Sequence, residues 1–344
     1  MIQASDESIR QFFQTHQRFV IISHIRPDGD AVGSMLGLGM ALKNSGKDVQ
    51  MVLSDGVPAS FRHLPGYEAI TRRIKGEFDA LIVVDCSDLI RTGGVLGDHK
   101  PHLNIDHHIT NLEFARLNYV QPEAEATCAI LAKKLPDWGL TISQPVARAL
   151  LTGVVSDTIG FRTSNVTAHT LRLAADLMEY GANLSELYNR ALVRRSYEAA
   201  RYWGRGLTTL QRENRITWGT LTLQDREAAG YTGNGDADLI NVLSAIDESD
   251  IAIIFVEQRE NKVKVSWRAQ PGYDVSQLAL NFGGGGHPAA AGAEILGSLA
   301  DVQSAVLEAT YSALAAQKAR NGNGQVNGNE NKGTNGSSNS AQTR

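Results

Sequence analysis

Short apolar runs alternate with helical patterns along roughly the first 185 residues of the chain. The runs are rich in β-branched residues and lack the polar alternation of a half-exposed strand, which is typical of parallel sheets covered on both faces. They predict strands at RFVIIS (18–23), VQMVLS (49–54), FDALIVVD (78–85) and HLNID (102–106). The patterns between and after these runs predict helices over 30–46, 128–139, 144–157 and 168–181.

A different pattern follows residues 186–205, an arginine-rich segment that we interpret as a helical connector. Strands are predicted beyond it at 216–223, 250–258 and 262–270, with helices over 236–247 and 274–282. We expect an α/β protein in which a mainly parallel-sheet N-terminal domain (1–185) faces a second, smaller α/β domain (206–317) across a cleft. Residues 318–344 are predicted to be a disordered tail, because from Asn321 onward they hold seven Asn and five Gly.

Composition and charge narrow the class of protein. The 344 residues are 42% hydrophobic and 20% charged, which is ordinary for a globular protein with two cores. A net charge of −4 gives no basic field for long nucleic acid, so a phosphate-bearing ligand must be attracted locally. Cys86 and Cys128 are too few for a disulfide framework or a cysteine-rich zinc site. Because neither a signal peptide nor an apolar run of about 18 residues occurs, we expect a cytoplasmic protein that does not span a membrane.

Carboxylates and imidazoles stand where predicted strands or helices end. The carboxyl ends of parallel strands lie along one edge of a sheet, so side chains far apart in sequence can converge there. Each of these residues also has an ordinary interpretation: Asp30, for example, could cap the helix that begins at Ala31. Their repetition at separate element ends nevertheless favours one shared ligand, a metal. The residues at these ends are His24, Asp28, Asp30, Asp85, Asp106, His107, His108 and Asp157.

The ligand types indicate which metal. Carboxylates with imidazole and without thiolate suit Mn²⁺, Mg²⁺ or Co²⁺, and the imidazoles make Mg²⁺ the weaker candidate. More ligands are present than one metal with open positions can use. Two divalent ions about 3.5–4 Å apart, sharing one carboxylate, would use them. We therefore expect two divalent cations, with Mn²⁺ preferred.

The order of these residues resembles the DHH phosphoesterase superfamily. Its motifs are matched by H-x-x-x-D-x-D (24–30), a strand-end Asp85, D-H-H (106–108) and a later Asp157, and SDTIGFRTSNVTAHT (156–170) is similar to the fourth motif region. The resemblance implies one Mn²⁺ on His24, Asp28 and Asp85. It implies a second on Asp30, Asp85, His107 and Asp157, with Asp85 bridging. His108 would then face the substrate phosphate and Asp106 would orient a neighbouring group, so both are the candidate catalytic side chains.

A second unusual stretch is the run of four glycines before His287. It is either a flexible loop or a backbone that approaches an anion closely, and it is not a Walker loop because no Gly-Lys-Ser/Thr follows. Arg268 lies at the end of a predicted strand. It is either an exposed cation or a side chain whose forked guanidinium binds phosphate. Together S-W-R (266–268) and G-G-G-H (284–287) resemble the C-terminal domain of many DHH proteins. That resemblance implies substrate contacts from Arg268, Gly284, Gly285, Gly286 and His287.

The resemblance implies hydrolysis of very short RNA or of the 3′-phosphate of 3′-phosphoadenosine 5′-phosphate (pAp). Cleavage of pApA or cyclic di-AMP is the alternative within the same fold. A single-strand exonuclease, an inorganic pyrophosphatase and a non-catalytic nucleotide sensor are less favoured, the last because the metal-site side chains are complete. The expected partners are a short RNA or small nucleotide, without long nucleic acid or membrane. A homodimer is also expected.

Overall fold

The computed structural model describes residues 2–326 of the chain. The chain divides into two compact units, Met1–Ser196 and Tyr197–Arg344. The division falls inside the segment 186–205 that we interpreted as a connector. No helix within residues 2–326 combines the length and the hydrophobicity that crossing a bilayer requires.

The first unit is built on a seven-stranded sheet in which every neighbouring pair is parallel, confirming the predicted sheet type. The strand order is β1-β7-β6-β5-β2-β3-β4. The central strands are buried along nearly their whole length, as their apolar runs predict. The strands are β1 (Ile2–Gln3), β2 (Arg18–Ile22), β3 (Asp48–Val52), β4 (Ile70–Thr71), β5 (Ala80–Val84), β6 (Leu103–Asp106) and β7 (Leu117–Val120).

Helices pack against this sheet around one large hydrophobic core. They are α1 (Asp6–Thr15), α2 (Gly29–Asn44), α3 (Thr127–Lys134), α4 (Gln144–Asp157), α5 (Ala168–Glu179) and α6 (Leu184–Tyr188). Shorter turns are the 3₁₀ segments Ala59–Phe61, Tyr67–Ala69 and Ile90–Thr92, and a π-helical turn follows α6 over Asn189–Val193.

Glycines let α2 and α4 pack closely. Gly29, Gly33 and Gly37 recur every four residues on α2, and so share one face of the helix. A Cβ atom at Gly33 would lie 2.6 Å from the carbonyl oxygen of Ala149, and one at Gly29 would lie 2.4 Å from Ser156 Oγ. The helices therefore run in opposite directions, and the first turn of α2 lies beside the last turn of α4.

The second unit contains a six-stranded sheet in the order β12-β13-β11-β10-β9-β8. Only β9 and β10 are parallel; the other pairs are antiparallel. Hydrophobic clusters cover both faces, one including Trp267 and the other Tyr202. The strands are β8 (Gln211–Glu213), β9 (Ile216–Leu221), β10 (Ile251–Gln258), β11 (Lys262–Ala269), β12 (Gly285–His287) and β13 (Ala290–Leu296).

The helices of this unit are α7 (Tyr197–Thr208), α8 (Leu223–Ala229), α9 (Leu239–Leu243), α10 (Ser276–Asn281) and α11 (Leu299–Val326). The helix expected over 236–247 is thus much shorter. Ala237 and Asp238 have φ of 55° and 67°. This left-handed conformation is incompatible with a right-handed helix, so the helix begins only after Asp238. Helix α11 continues past the expected start of the tail at 318, and residues 327–344 of that tail lie outside the described residues.

Candidate active site

Asp85 is the central carboxylate of the site. It follows β5 with φ of 52°, a left-handed conformation that is uncommon for a residue with a side chain. Its Oδ2 atom lies 3.5 Å from His24 Nε2, and its Oδ1 atom lies 3.7 Å from His107 Nε2 and 3.8 Å from His108 Nδ1. The Thr127 hydroxyl donates a hydrogen bond of 3.1 Å to the same Oδ1. One buried carboxyl group therefore contacts side chains from three other segments of the chain.

The rings of His24 and His107 are oriented by backbone carbonyls. His24 Nδ1 lies 2.8 Å from the carbonyl oxygen of Ile25, and His107 Nδ1 lies 3.2 Å from that of Ala124. A carbonyl oxygen only accepts, so Nδ1 must carry the proton in both rings. The lone pair of each neutral ring is then on Nε2, which is the atom that faces Asp85. This arrangement is the one that metal-binding imidazoles require.

Asp28 and Asp30 reach the site from the start of α2. Asp28 caps this helix, accepting 3.0 Å hydrogen bonds from the N–H groups of Asp30 and Ala31. The alternative in which Asp30 caps the helix is wrong, because α2 begins at Gly29. Asp30 instead accepts the N–H groups of Thr127 and Cys128, at 2.6 and 2.9 Å, and so satisfies the first turn of α3.

Asp157 is the last residue of α4, where the helix predicted over 144–157 also ends. Its Oδ2 atom lies 3.5 Å from His107 Nε2, and Asp30 Oδ2 lies 3.9 Å from the same nitrogen. The close packing of α2 on α4 thus brings two carboxylates to one imidazole. The C-terminus of a helix carries partial negative charge, so it adds to the need for a cation here.

Burial and mutual charge change the proton affinities of the cluster. Burial, together with the charges of Asp85 and Asp157, raises the pKa of Asp30 well above its usual range. Burial alone would raise the pKa of Asp85. The hydrogen bond from His24 and the positive charges of His108, His24 and His107 outweigh burial and hold this pKa below its usual range. For His24 and His107, burial would lower the pKa, yet the surrounding carboxylates raise it. The cluster needs positive charge, which either protons or metal ions can supply.

His108 is held differently from His107. Its Nδ1 atom lies 2.7 Å from Asp106 Oδ1, and Asp106 is fully buried at the end of β6. Asn111 Nδ2 donates to the other oxygen, Asp106 Oδ2, at 2.5 Å and to Asn104 Oδ1 at 2.8 Å. Burial would lower the pKa of His108, but Asp106 and then Asp85 raise it. Asp106 therefore fixes this ring and favours its protonated form.

The donor atoms fit divalent metal ions. His24, Asp28 and Asp85 each offer a ligand atom within 4.8 Å of the others, and so do Asp30, Asp85 and His107. Asp85 belongs to both groups, through different oxygens. All the donors are carboxylate oxygen or imidazole nitrogen, the set that suits Mn²⁺, Co²⁺ or Mg²⁺.

The candidate substrate contacts of the second unit lie on one row of its sheet. Arg268 in β11 and His287 in β12 are both paired with Ala290 of β13, one from each side. Residues in register point to the same face, so these side chains project together about 10 Å apart. Arg268 Nε donates to Asn241 Oδ1 at 3.3 Å, and its Nη1 donates to the Trp267 carbonyl at 3.0 Å.

The glycine run forms the start of an edge strand rather than a loop. Cβ atoms at Gly284 and Gly286 would lie 2.1 and 2.5 Å from carbonyl oxygens of β13. The packing of the strands is therefore sufficient to explain why these two positions are glycine. Gly285 lies between them in β12 and has open space around it.

Sequence reasoning missed Thr127, Asn104 and Asn111. Thr127 binds both Asp30 and Asp85, and the two asparagines are joined to Asp106 through Asn111. The only indication in the sequence for Thr127 is weak: it directly precedes an apolar run with a helical pattern. Asn111 lies three residues beyond D-H-H, but nothing local indicates that its side chain turns back.

Two segments of the chain match known domain families. Residues 18–154 match the model of the DHH family, N-terminal domain, and residues 228–315 match the DHHA1 domain. The bifunctional oligoribonuclease and PAP phosphatase NrnA of Thermus thermophilus is 35% identical over 299 residues, which cover 86% of this chain and 89% of that protein.

Two further similarities concern a relative and a solved structure. A probable manganese-dependent inorganic pyrophosphatase of Exiguobacterium is 24% identical over 182 residues, covering 51% of this chain and 59% of that protein. The crystal structure of an exopolyphosphatase-related protein from Bacteroides fragilis superposes with a TM-score of 0.81 at 24% identity, covering 91% of this chain and 96% of that one. The latter supports the fold alone.

Proposed function

This chain belongs to the DHH family and is a phosphoesterase, and on that premise we propose that it hydrolyses very short oligoribonucleotides and pAp to nucleoside monophosphates. The observation that carries the proposal is Asp85, a carboxylate shared by two groups of metal-ligand type. Support for the substrate class comes from the Thermus thermophilus relative, whose name gives both activities and which matches along nearly its full length.

The proposed metals are two Mn²⁺ ions, one held by His24, Asp28 and Asp85 and the other by Asp30, Asp85, His107 and Asp157. Two such ions supply charge that neutralises the phosphate oxygens and makes an attacking water more acidic. The donor set favours Mn²⁺ over Mg²⁺ because of its imidazoles, and the Exiguobacterium relative is named for manganese.

Hydrogen bonds within the protein orient the three histidines of the site for different roles. Backbone carbonyls hold His24 and His107 with Nε2 directed at the carboxylates. His108, held through Nδ1 by Asp106, would present Nε2–H to a phosphate oxygen or to the leaving oxygen. Fixed donors of this kind stabilise charge that develops in the transition state without having to reorient.

Arg268 and His287 are the proposed contacts for the far end of the substrate. They share one face and one row of the second sheet, where a forked guanidinium and an imidazole can bind a phosphate together. Remote binding of this kind holds the scissile bond near attack geometry and raises the rate. We also assign backbone contacts to Gly284, Gly285 and Gly286. Gly285 is the best placed, because strand packing does not account for it.

A substrate panel tests the proposal. Purified protein with Mn²⁺ is assayed against pAp, RNA of two to five nucleotides, pApA, cyclic di-AMP, pyrophosphate and a long single strand, and products are identified by mass. We expect monophosphates from pAp and the shortest RNA, with loss of turnover in EDTA. Preference for pyrophosphate or the long strand would contradict the substrate assignment. Asp85→Asn protein serves as the matched control, since it should be inactive on every substrate.

A further inference from the structure

A cavity of about 430 Å³ lies in the first unit, apart from the acidic cluster. It is formed where the chain enters β6 and β7, and is lined by Lys100, Pro101, His102, Phe114, Ala115 and Arg116. The Arg116 N–H donates to the Pro101 carbonyl at 3.1 Å, and the Leu117 N–H donates to the His102 carbonyl at 2.9 Å. These two hydrogen bonds join the stretches just before β6 and β7 and hold their backbones together.

The cavity lies at the opposite end of β6 from the candidate metal site. His102 immediately precedes the strand, whereas Asp106 ends it and His107 follows. Four residues of strand span about 13 Å. The cavity is thus distinct from the acidic cluster.

The charged groups of the cavity are all basic. Its lining contains no carboxylate, and the ion pairs found within residues 2–326 include neither Lys100 nor Arg116. Both side chains are exposed. Lys100 and Arg116 both line this concave surface and no carboxylate does, so the cavity favours an anionic ligand.

His102 adds a donor of fixed direction. The Leu81 N–H donates to His102 Nδ1 at 3.1 Å, so the proton of the neutral ring is on Nε2. Burial, then the charges of His16 and Arg116, lower the pKa of His102, which keeps the ring neutral at pH 7. The ring is therefore an N–H donor whose other nitrogen is already occupied.

Phe114 gives the cavity an aromatic surface. Its side chain is only partly buried and lines the cavity together with Pro101. Such a ring next to cations suits a ligand that joins a phosphate to a flat aromatic base. We propose that this cavity binds a nucleoside monophosphate, with Lys100, Arg116 and His102 on the phosphate and Phe114 against the base.

Titration calorimetry tests the site in full-length protein. The parent is the Arg268→Ala variant in EDTA, in which the acidic cluster repels phosphate and the guanidinium proposed to bind phosphate in the second unit is absent. The probes are AMP, inorganic phosphate and adenosine, which separate the contributions of phosphate and base. We expect AMP to bind more tightly than phosphate, and adenosine to bind least.

Variants then assign the contacts. Lys100→Ala with Arg116→Ala should weaken AMP by about tenfold or more, as expected for loss of two charge-assisted contacts. Phe114→Leu should weaken AMP by about fivefold and leave phosphate unchanged. The matched control is Arg73→Ala with Lys75→Ala, which removes the same charge from an exposed stretch of the same unit and should change affinity by less than about twofold.

Three results would overturn the proposal. They are an absence of AMP binding by the parent, unchanged affinity in the Lys100/Arg116 double variant, and equal weakening in the Arg73/Lys75 control. AMP binding no tighter than phosphate would remove Phe114 and the base from the site. If the alanine pair does not fold by circular dichroism, Lys100→Gln with Arg116→Gln keeps the side-chain bulk and makes the same comparison. The assay is independent of turnover, so its outcome is separate from that of the substrate panel.

Discussion

At the scale of single residues, adjacent histidines differ because of the acceptor that each Nδ1 atom finds. His107 Nδ1 faces the backbone carbonyl of Ala124, which leaves Nε2 toward the carboxylates. His108 Nδ1 faces the buried Asp106 carboxylate, which carries charge and favours imidazolium. One residue is therefore prepared to bind a cation and the next to donate to an anion.

Replacing Asp106 tests this division. In Asp106→Asn the neutral amide cannot stabilise a protonated His108. We expect kcat to fall about 10–100-fold, the usual loss when a residue that orients a metal-site side chain is replaced. Bound metal, measured by mass spectrometry, should stay near the parent value because Asp106 is not in our proposed ligand set. Loss of metal together with activity would show that Asp106 is a ligand.

The sequence predicted the acidic and imidazole residues of the site but not their supports. Asp85 and His107 are detectable because titratable residues after apolar runs are unusual. Thr127 is not, because its contacts to Asp30 and Asp85 span 97 and 42 residues and depend on where α3 begins. The role of Asp30 at the start of α3 was missed for the same reason.

At the scale of elements, the packing of α2 on α4 sets the position of two carboxylates. Asp30 lies in the first turn of α2 and Asp157 in the last turn of α4. The helices approach closely because α2 presents glycine at Gly29, Gly33 and Gly37. A Cβ atom at any of these three positions would lie within 2.6 Å of an atom of α4.

Gly33→Ala measures this effect. The new Cβ would meet the Ala149 carbonyl oxygen at 2.6 Å, and since backbone cannot rotate away, we expect a loss of about 1–3 kcal/mol of stability. Urea unfolding followed by circular dichroism gives the change. The control is Gly204→Ala in α7, where the new methyl group meets nothing within 4 Å and should be neutral or stabilising. Equal effects of the two changes would show that close packing at Gly33 is unimportant.

An ion pair joins the starts of β2 and β5. Arg18 donates to Asp79 Oδ1 from Nε at 3.0 Å and from Nη2 at 2.8 Å, and hydrogen bonds from Arg18 lower the pKa of Asp79 to about 2. A carboxyl whose pKa falls on folding stabilises the protein above its unfolded pKa, near 4. This stabilisation disappears as pH falls toward 2.

Comparison of the parent with Asp79→Asn gives the test. The parent should be more stable at pH 6, and the difference should shrink between pH 4 and pH 2. Because Asp79 is partly exposed, the difference should also fall with added salt. Urea midpoints at several pH values measure it. A difference independent of pH would mean that the charge of Asp79 is not involved.

At the scale of the whole molecule, fold class was more predictable than element bounds. Continuous apolar runs indicated a parallel sheet, and the structure confirms it. The two-residue strands β1 and β4 are too short to give a pattern, and β7 (LNYV) has polar Asn118 at its centre. Asn118 is tolerated there because its side chain bonds back to Ala115.

Metal should stabilise the folded chain. The carboxylates of the site are brought together only when the chain folds. Mn²⁺ would therefore bind the folded protein and not the unfolded one. At a concentration of about 100 times Kd, such binding adds about 2.7 kcal/mol. We expect Mn²⁺ to raise the Tm, EDTA to reverse the rise, and Asp85→Asn to abolish it, all by scanning calorimetry. An equal rise in the variant would place the stabilising metal elsewhere.

The parallel topology also has a consequence for biosynthesis. The acidic cluster draws on residues from His24 to Asp157, and its strands pair through crossovers rather than hairpins, so its contacts are distant in sequence. A nascent chain that has not yet released α4 from the ribosome lacks Asp157 and the helix that positions Asp30. The proposed metal site is therefore incomplete in a growing polypeptide until most of the first unit has emerged and folded.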